Sequence, residues 1–349
     1  MVIRFEYTNS KFHYPALDGL RGLAILGVML FHLFKFRIGW TGVDLFFVLS
    51  GFLITSILID GRDGKNYFSR FYIKRVLRIF PLYYAVVILF FTIYFLFSNK
   101  VVLNEILPYL FYYQNISVSS NGWPVNYLLP LNHFWSLGVE EQFYFLFPMI
   151  IYFVRPKKLW FWFVILITLS ICLRLYFHYI LRNNTGAYVF TLCRFDSLLI
   201  GGLTCLYARS RKILNIWIVI PLLLIFLIAS FLTPDANSSY FCTIGYTLNA
   251  LLFGSLLLFS LSKKRLASIL FKGSLFMHFG KIAYGLYVFH HIYFIYFDYY
   301  LSKHYPGIPY LIVAFLVFGF SYATALFSYK YFEKPILGLK ARYVGRIDE

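Results

Sequence analysis

The chain of 349 residues is 60% hydrophobic and only 13% charged, with a mean hydropathy of +0.71 and a formal net charge of +18. Soluble domains run nearer 45–50% apolar and about 25% charged, so this composition excludes a soluble fold and points to an integral membrane protein. The apolar tracts are continuous over about 18–22 residues rather than alternating in ~10-residue pieces, which favours helices over an outer-membrane barrel.

In chain order, the candidate spans fall at about 16–34, 43–60, 79–97, 137–154, 159–177, 187–208, 213–232, 240–261, 280–298 and 309–329. The expected fold is therefore an all-α, polytopic transmembrane helical bundle of about ten spans. A polar leader without a small-residue cleavage site precedes the first tract, which is read as a retained helix rather than a signal peptide. Ten spans place both termini on one side of the membrane. The loops of that side hold 24 of the 32 Lys and Arg residues and the opposite loops five, so both termini are expected in the cytoplasm. The same asymmetry accounts for most of the net charge, and nucleic acid is not expected as a partner. Cys172, Cys193, Cys205 and Cys242 lie in or beside apolar tracts without C-x-x-C spacing. They are read as buried small hydrophobes, with no metal expected.

Within the first span, the stretch from Asp18 to His32 carries two groups that hydrocarbon penalises. Arg21 and His32 are eleven residues apart, roughly 16 Å at 1.5 Å per residue and about three turns, so both project from nearly the same face. A cation and a titratable imidazole on one face of a membrane helix form by default a candidate functional site. Asp18, one turn before Arg21, is its expected structural partner.

After the second span comes a basic cytoplasmic segment, about 60–78, ending in Lys74, Arg75 and Arg78. Guanidinium groups one helical step apart can fork onto phosphate oxygens, although an ordinary positive-inside loop has the same composition. The longest external segment, about 98–136, contains Asn115, Asn121, Trp123, Asn126, Asn132, His133 and Trp135. Its aromatic and amide content predicts a packed, sugar-binding surface, with interface anchoring as the alternative use of the aromatics.

Three carboxylates are candidate partners for His32: Asp44 at the start of the second span, and Glu140 and Glu141 at the start of the fourth. A carboxylate accepting from one ring nitrogen leaves the other basic and aimed at a hydroxyl. Helix-dipole stabilisation is the competing reason for acids at those positions. Further along, Arg194 and Asp196 are expected to form an internal ion pair. His290 and His291 would line a cavity or hydrogen-bond across helices. Ser50 and Gly51 would allow close packing against the first helix.

Read together, several stretches resemble the acyltransferase 3 family, which includes bacterial lipopolysaccharide and exopolysaccharide O-acetylases. They are Leu17-Asp18-Gly19-Leu20-Arg21-Gly22 with Phe31-His32, then Gly42 to Phe52, and Arg75-Val76-Leu77-Arg78-Ile79-Phe80-Pro81. His133 to Tyr144, Arg194-Phe195-Asp196, Gly280 to Tyr287 and Tyr331 to Pro335 follow in order, so the resemblance covers nearly the whole chain.

The resemblance implies an acyl-CoA-dependent O-acetyltransferase of the bacterial cytoplasmic membrane, moving an acetyl group from cytoplasmic acetyl-CoA to a hydroxyl outside. The acceptor implied is a cell-surface or exported carbohydrate, free or lipid-linked. The family's Arg-x10-His pattern falls on Arg21 and His32, and its paired-arginine motif on Arg75 and Arg78. His32 is then the catalytic base, with Asp44, Glu140 and Glu141 as supporting carboxylates. Arg21, Lys74, Arg75 and Arg78 hold the donor nucleotide, and Trp135 and His133 bind the acceptor. Some members carry an additional C-terminal esterase-like domain. This chain ends soon after its last apolar tract, and one membrane domain over residues 1–349 is expected. A transporter and a non-catalytic relative are the competing classes, although no internal repeat of the transporter type is visible.

Overall fold

The computed structural model describes residues 15–98, 103–124, 129–210, 219–233, 235–262, 265–305, 307–339 and 343, whose regular elements are all helices, with no strand among them. The helices are α1 (Pro15–Phe34), α2 (Gly42–Gly61), α3 (Tyr67–Ser98), α4 (Leu103–Leu110), α5 (Gln114–Asn121), α6 (Trp135–Phe153), α7 (Leu159–Leu175) and α8 (Asn184–Val189). They continue with α9 (Thr191–Arg209), α10 (Val219–Leu232), α11 (Tyr246–Ser260), α12 (Arg265–Phe271), α13 (Ser274–Lys281), α14 (Ala283–His304) and α15 (Tyr310–Ser328).

Among the described residues, seven helical segments are long and apolar enough to cross a bilayer. They contain α1, α2, α3, α7, α8 with α9, α11 and α15. The other three tracts expected as spans fall on α6, α10 and α14. The start of the expected span at 213–232 lies outside the described residues, and the described α10 has 14 residues, while α6 carries Glu140 and Glu141 and α14 is rich in tyrosine and histidine.

Helix α1 touches α2, α11, α12, α13, α14 and α15, which makes it the element around which the bundle is assembled. Its seam with α13 is a backbone contact. A methyl group at Gly22 would overlap the carbonyl of Phe276, and one at Gly280 the carbonyl of Asp18. The α2–α9 seam is built the same way, with Gly51 against Leu198 and Gly201 against Val48. Close approach of this kind is how helices gain packing where lipid supplies no hydrophobic drive. Gly51 thus packs α2 on α9, not on the first helix as expected from sequence.

The segment expected as an external loop contains a helical hairpin, α4 and α5, inserted into the bundle. Near its turn, Tyr112 stacks on Tyr83 and Phe80 of α3, with ring centroids 4.2 and 5.4 Å apart. Tyr83 and Tyr84 donate to the carbonyls of Tyr109 and Leu110, each at 2.8 Å. Backbone that leaves helical geometry inside a membrane protein needs such partners. Gln142 of α6 supplies another, donating to Tyr112 O at 2.7 Å and Asn115 Oδ1 at 2.9 Å. Asn115, expected on an acceptor surface, is fully buried and donates to Val189 O and Thr191 Oγ1. Its amide holds the hairpin in place. Asn126 lies outside the described residues.

Candidate active site

At its C-terminal end α1 carries His32 into a cavity of about 400 Å³. Three more imidazoles join it: His133, just before α6, and His290 and His291 of α14. The His32 ring lies 4.9 Å from that of His291 and 5.3 Å from that of His290, centroid to centroid. The His133 ring is 4.9 Å from His291 and 5.4 Å from His290. Two of these rings are oriented by backbone. His133 Nε2 donates to Val288 O at 3.1 Å, and His290 Nδ1 to Tyr287 O at 2.9 Å. In the neutral ring the opposite nitrogen then carries a lone pair, and His133 Nδ1 and His290 Nε2 are buried without a partner among the described residues. Burial and the facing imidazoles hold His133 well below the ordinary histidine range. The ring of His32 makes no hydrogen bond to another described residue, and only its carbonyl is engaged, by Tyr310 Oη at 3.1 Å.

Trp40, Trp123, Trp135, Asn132 and Tyr188 line the same cavity, together with Asp235, Ala236 and Asn237 from the loop before α11. Indole faces beside amides and a carboxylate give a wall that suits a polyhydroxylated ring. Trp135 and His133, the two residues expected to bind the acceptor, both line this cavity.

Near the other end of α1 is a second pocket, of about 110 Å³, lined by Arg21, Arg75, Arg78, Ser50, Glu140, Tyr144 and Tyr284 among others. Arg21 is paired with Asp18 at 3.0 Å, as the one-turn spacing implied. Arg75 lies over the ring of Tyr144, 5.3 Å from its centroid. Three guanidinium groups around one pocket form an anion site by composition. Lys74, expected with them, is not among the lining residues. It is one position before Arg75 on α3, about 100° around the helix from it.

The two chambers share Tyr287 and Val43 in their walls. The Tyr287 hydroxyl donates to His133 O at 2.6 Å and lies 2.5 Å from Ser136 Oγ, which lines the arginine pocket. With the tyrosine proton committed to the carbonyl, Ser136 is the donor to Tyr287. A hydrogen-bonded pair of side chains, Tyr287 and Ser136, thus joins the walls of the two chambers.

The carboxylates expected beside His32 are elsewhere. Asp44 forms a buried ion pair with Arg194 and accepts from Asn249 Nδ2 at 3.1 Å, tying α2 to α9 and α11. Glu140 belongs to the arginine pocket, accepting from Ser50 Oγ at 2.5 Å. Five residues into α6, it lies about 8 Å further along the axis than Trp135. Glu141 faces Glu140, Arg75 and the hairpin at Tyr112. None of the three lines the histidine cavity.

Arg194 and Asp196 do not pair with each other either. Asp196 is bound by Arg174 at 2.6 Å, with Thr247 donating to the same oxygen at 2.6 Å. Two cations and two anions, all fully buried, thus form two crossed pairs. His290 and His291 prove to be cavity residues, and Tyr287 joins them at one-turn spacing on α14. That spacing, in Tyr-Gly-Leu-Tyr-Val-Phe-His-His, was the available signal. The contribution of the loop at 235–237 had none.

An α-helical bundle threaded by an arginine pocket and a histidine cavity on one helix is a multi-pass membrane protein with two adjoining polar chambers. The chain belongs to the acyltransferase 3 family: the family model described as an acyltransferase domain matches residues 14–329. It is 35% identical over 214 residues to the O-acetyltransferase OatA of Staphylococcus aureus strain NCTC 8325, covering 57% of this chain and 35% of that one. Similarity to the protein named "Putative O-acetyltransferase SACOL0978" of S. aureus strain COL is 30% over 360 residues, covering 94% of this chain and 58% of the relative. The chain therefore spans between about a third and three-fifths of the length of these relatives. No solved structure matches it.

Proposed function

We propose that the protein is a membrane O-acetyltransferase that takes an acetyl group from cytoplasmic acetyl-CoA and gives it to a hydroxyl of a carbohydrate outside the cytoplasm. The observation that carries this reading is the shared wall: an anion pocket and a histidine cavity, opening on the two ends of α1, meet at Tyr287. The excess of basic residues in the loops on the terminal side supports ten spans with cytoplasmic termini, which sets the arginine pocket toward the cytoplasm and the histidine cavity toward the outside.

In this reading Arg21, Arg75 and Arg78 hold the phosphates of the donor. The pantetheine arm is extended along α1, past Tyr287 and Ser136, over the roughly 16 Å that separates Arg21 from His32 by helix rise. His32 removes the proton of the acceptor hydroxyl as its oxygen attacks the thioester carbonyl carbon. The carbon–sulfur bond breaks, and the departing thiolate takes the proton from the imidazolium, leaving an acetyl ester and free CoA thiol. Trp135, Trp123 and His133 orient the sugar. His290 and His291 keep the polar cavity furnished with acceptors, and Asp44 stabilises the bundle.

A route through an acyl-enzyme is the second mechanism. The two are separated by incubating the enzyme with labelled acetyl-CoA without acceptor: stable protein-bound label refutes direct transfer. The function itself is tested by purified enzyme with acetyl-CoA and a panel of glycans. Failure to bind or consume acetyl-CoA refutes the donor assignment, and other acyl-CoA thioesters are then the next substrates.

A further inference from the structure

Between α4 and α5 lies a separate cleft of about 250 Å³. One wall carries Gln114, Ser117 and Asn121, a polar stripe along a single face of α5. The other presents Glu105 and Tyr109 of α4. Two oxygens in this region, Glu105 Oε2 and Gln114 Oε1, are buried and have no hydrogen-bond donor among the described residues. The orientation of the Gln114 amide is not free, because its Nε2 already donates to Phe134 O at 2.7 Å. Buried acceptors without donors are costly, and native structures leave few of them without a purpose.

The chemistry of the deficit identifies the ligand class. Two acceptors, one of them a carboxylate, disfavour an anion and call for hydroxyl donors, while Ser117 and Asn121 can in turn donate to hydroxyl oxygens. A polyol ring satisfies both demands. The cleft also adjoins the histidine cavity. Asn121, Gly122 and Pro124 line the cleft and Trp123 lines the cavity, so a strip of chain four residues long divides them. Asn132, itself a cavity residue, pins that strip by donating to Pro124 O at 2.9 Å.

We propose that the α4–α5 cleft is a second carbohydrate subsite, holding a neighbouring sugar of the chain whose reacting unit faces His32. This rests on the reading of the acceptor as a carbohydrate, and it adds that the acceptor is an oligomer gripped at two sugars.

The test uses full-length enzyme and a ladder of cello- and chito-oligosaccharides of one to five units. Acetyl transfer and saturation-transfer NMR contacts to the sugar are both read. At least a tenfold rise in kcat/KM is expected between one unit and three. In Glu105→Leu and Ser117→Ala that gain disappears, while transfer to the single sugar and hydrolysis of acetyl-CoA stay within twofold of wild type. Glu105→Gln, which keeps an acceptor oxygen, retains most of the gain.

Sugar contacts seen with wild type and lost in Glu105→Leu support the subsite even if no acetyl is transferred, in which case the acetyltransferase reading alone falls. Transfer that is independent of chain length overturns the subsite and leaves the acetyltransferase standing. Equal losses for one unit and three in the variants, or no sugar contacts with wild type, also overturn it and make the cleft a water-filled space in the hairpin.

Discussion

Replacing His32 by glutamine separates the chemistry from the binding. Glutamine keeps polarity and much of the volume but has no basic nitrogen. Because the His32 ring makes no hydrogen bond to another described residue, the fold loses no partner, and stability should change by no more than about 0.5 kcal/mol. The arginine pocket is roughly 16 Å away along α1, too far for the substitution to touch it. Donor KM should therefore stay within about twofold. A general base contributes about 10²–10⁴ in rate. At 1.36 kcal/mol per decade this is about 3–5 kcal/mol of lost transition-state stabilisation, all of it in kcat. The assay is transfer of labelled acetyl to a carbohydrate acceptor over a range of acetyl-CoA concentrations, with a melting curve of the same preparation. A kcat within tenfold of wild type refutes the assignment. So does a fall in kcat matched by a rise in donor KM. If His290→Gln abolishes transfer while His32→Gln does not, the base is the other imidazole.

Arg75→Ala with Arg78→Ala should raise donor KM at least tenfold and leave kcat at saturation nearly intact, since a charge-assisted hydrogen bond contributes about 1.5–3 kcal/mol; isothermal titration with CoA reads this directly. Asp44→Asn leaves Arg194 charged and buried without its counter-ion. It should cost about 3–5 kcal/mol, seen as a lower melting temperature, and rescue of that melting temperature by changing Arg194 to methionine would identify the cause. Gly51→Leu forces α2 off the Leu198 carbonyl, and a melting temperature equal to wild type would contradict the backbone seam. His133 is held below its unfolded value near 6.5, so the unfolded chain binds the extra proton first and stability falls as pH drops below about 6.5. A melting profile between pH 7 and 5 should slope downward and flatten partly in His133→Asn, partly because three imidazoles remain in the cavity.

What was legible in the sequence was local. Arg21 and His32 share one helix, and a separation of eleven residues converts directly into distance and direction. Asp18 followed for the same reason, as did the co-location of Arg75 with Arg78. The carboxylates misled because a residue's place at the start of a span says nothing of the depth at which its helix begins. Asp44 found Arg194 and Asp196 found Arg174 through packing of α2, α7 and α9. The nearer Arg194–Asp196 pair in the sequence concealed both. The α4–α5 hairpin was hidden because its two helices have only 8 residues each, too short to stand out from a loop. Only tertiary partners such as Gln142 and Asn115 make it a buried element.

The glycine seam between α1 and α13 bears on how this protein can change over generations. Backbones in direct contact cannot slide or roll, so Arg21 and His32 are held at one spacing and one phase. Inserting a single residue between them would swing the imidazole about 100° around the axis and move it about 1.5 Å along it. A whole added turn would keep the direction and lengthen the span by about 5 Å. Side chains away from the seam glycines can thus be exchanged within the interval, while its length cannot change by one residue without turning the imidazole away. Under the proposed route for the donor, a longer or shorter arm would have to be accommodated at the pocket ends.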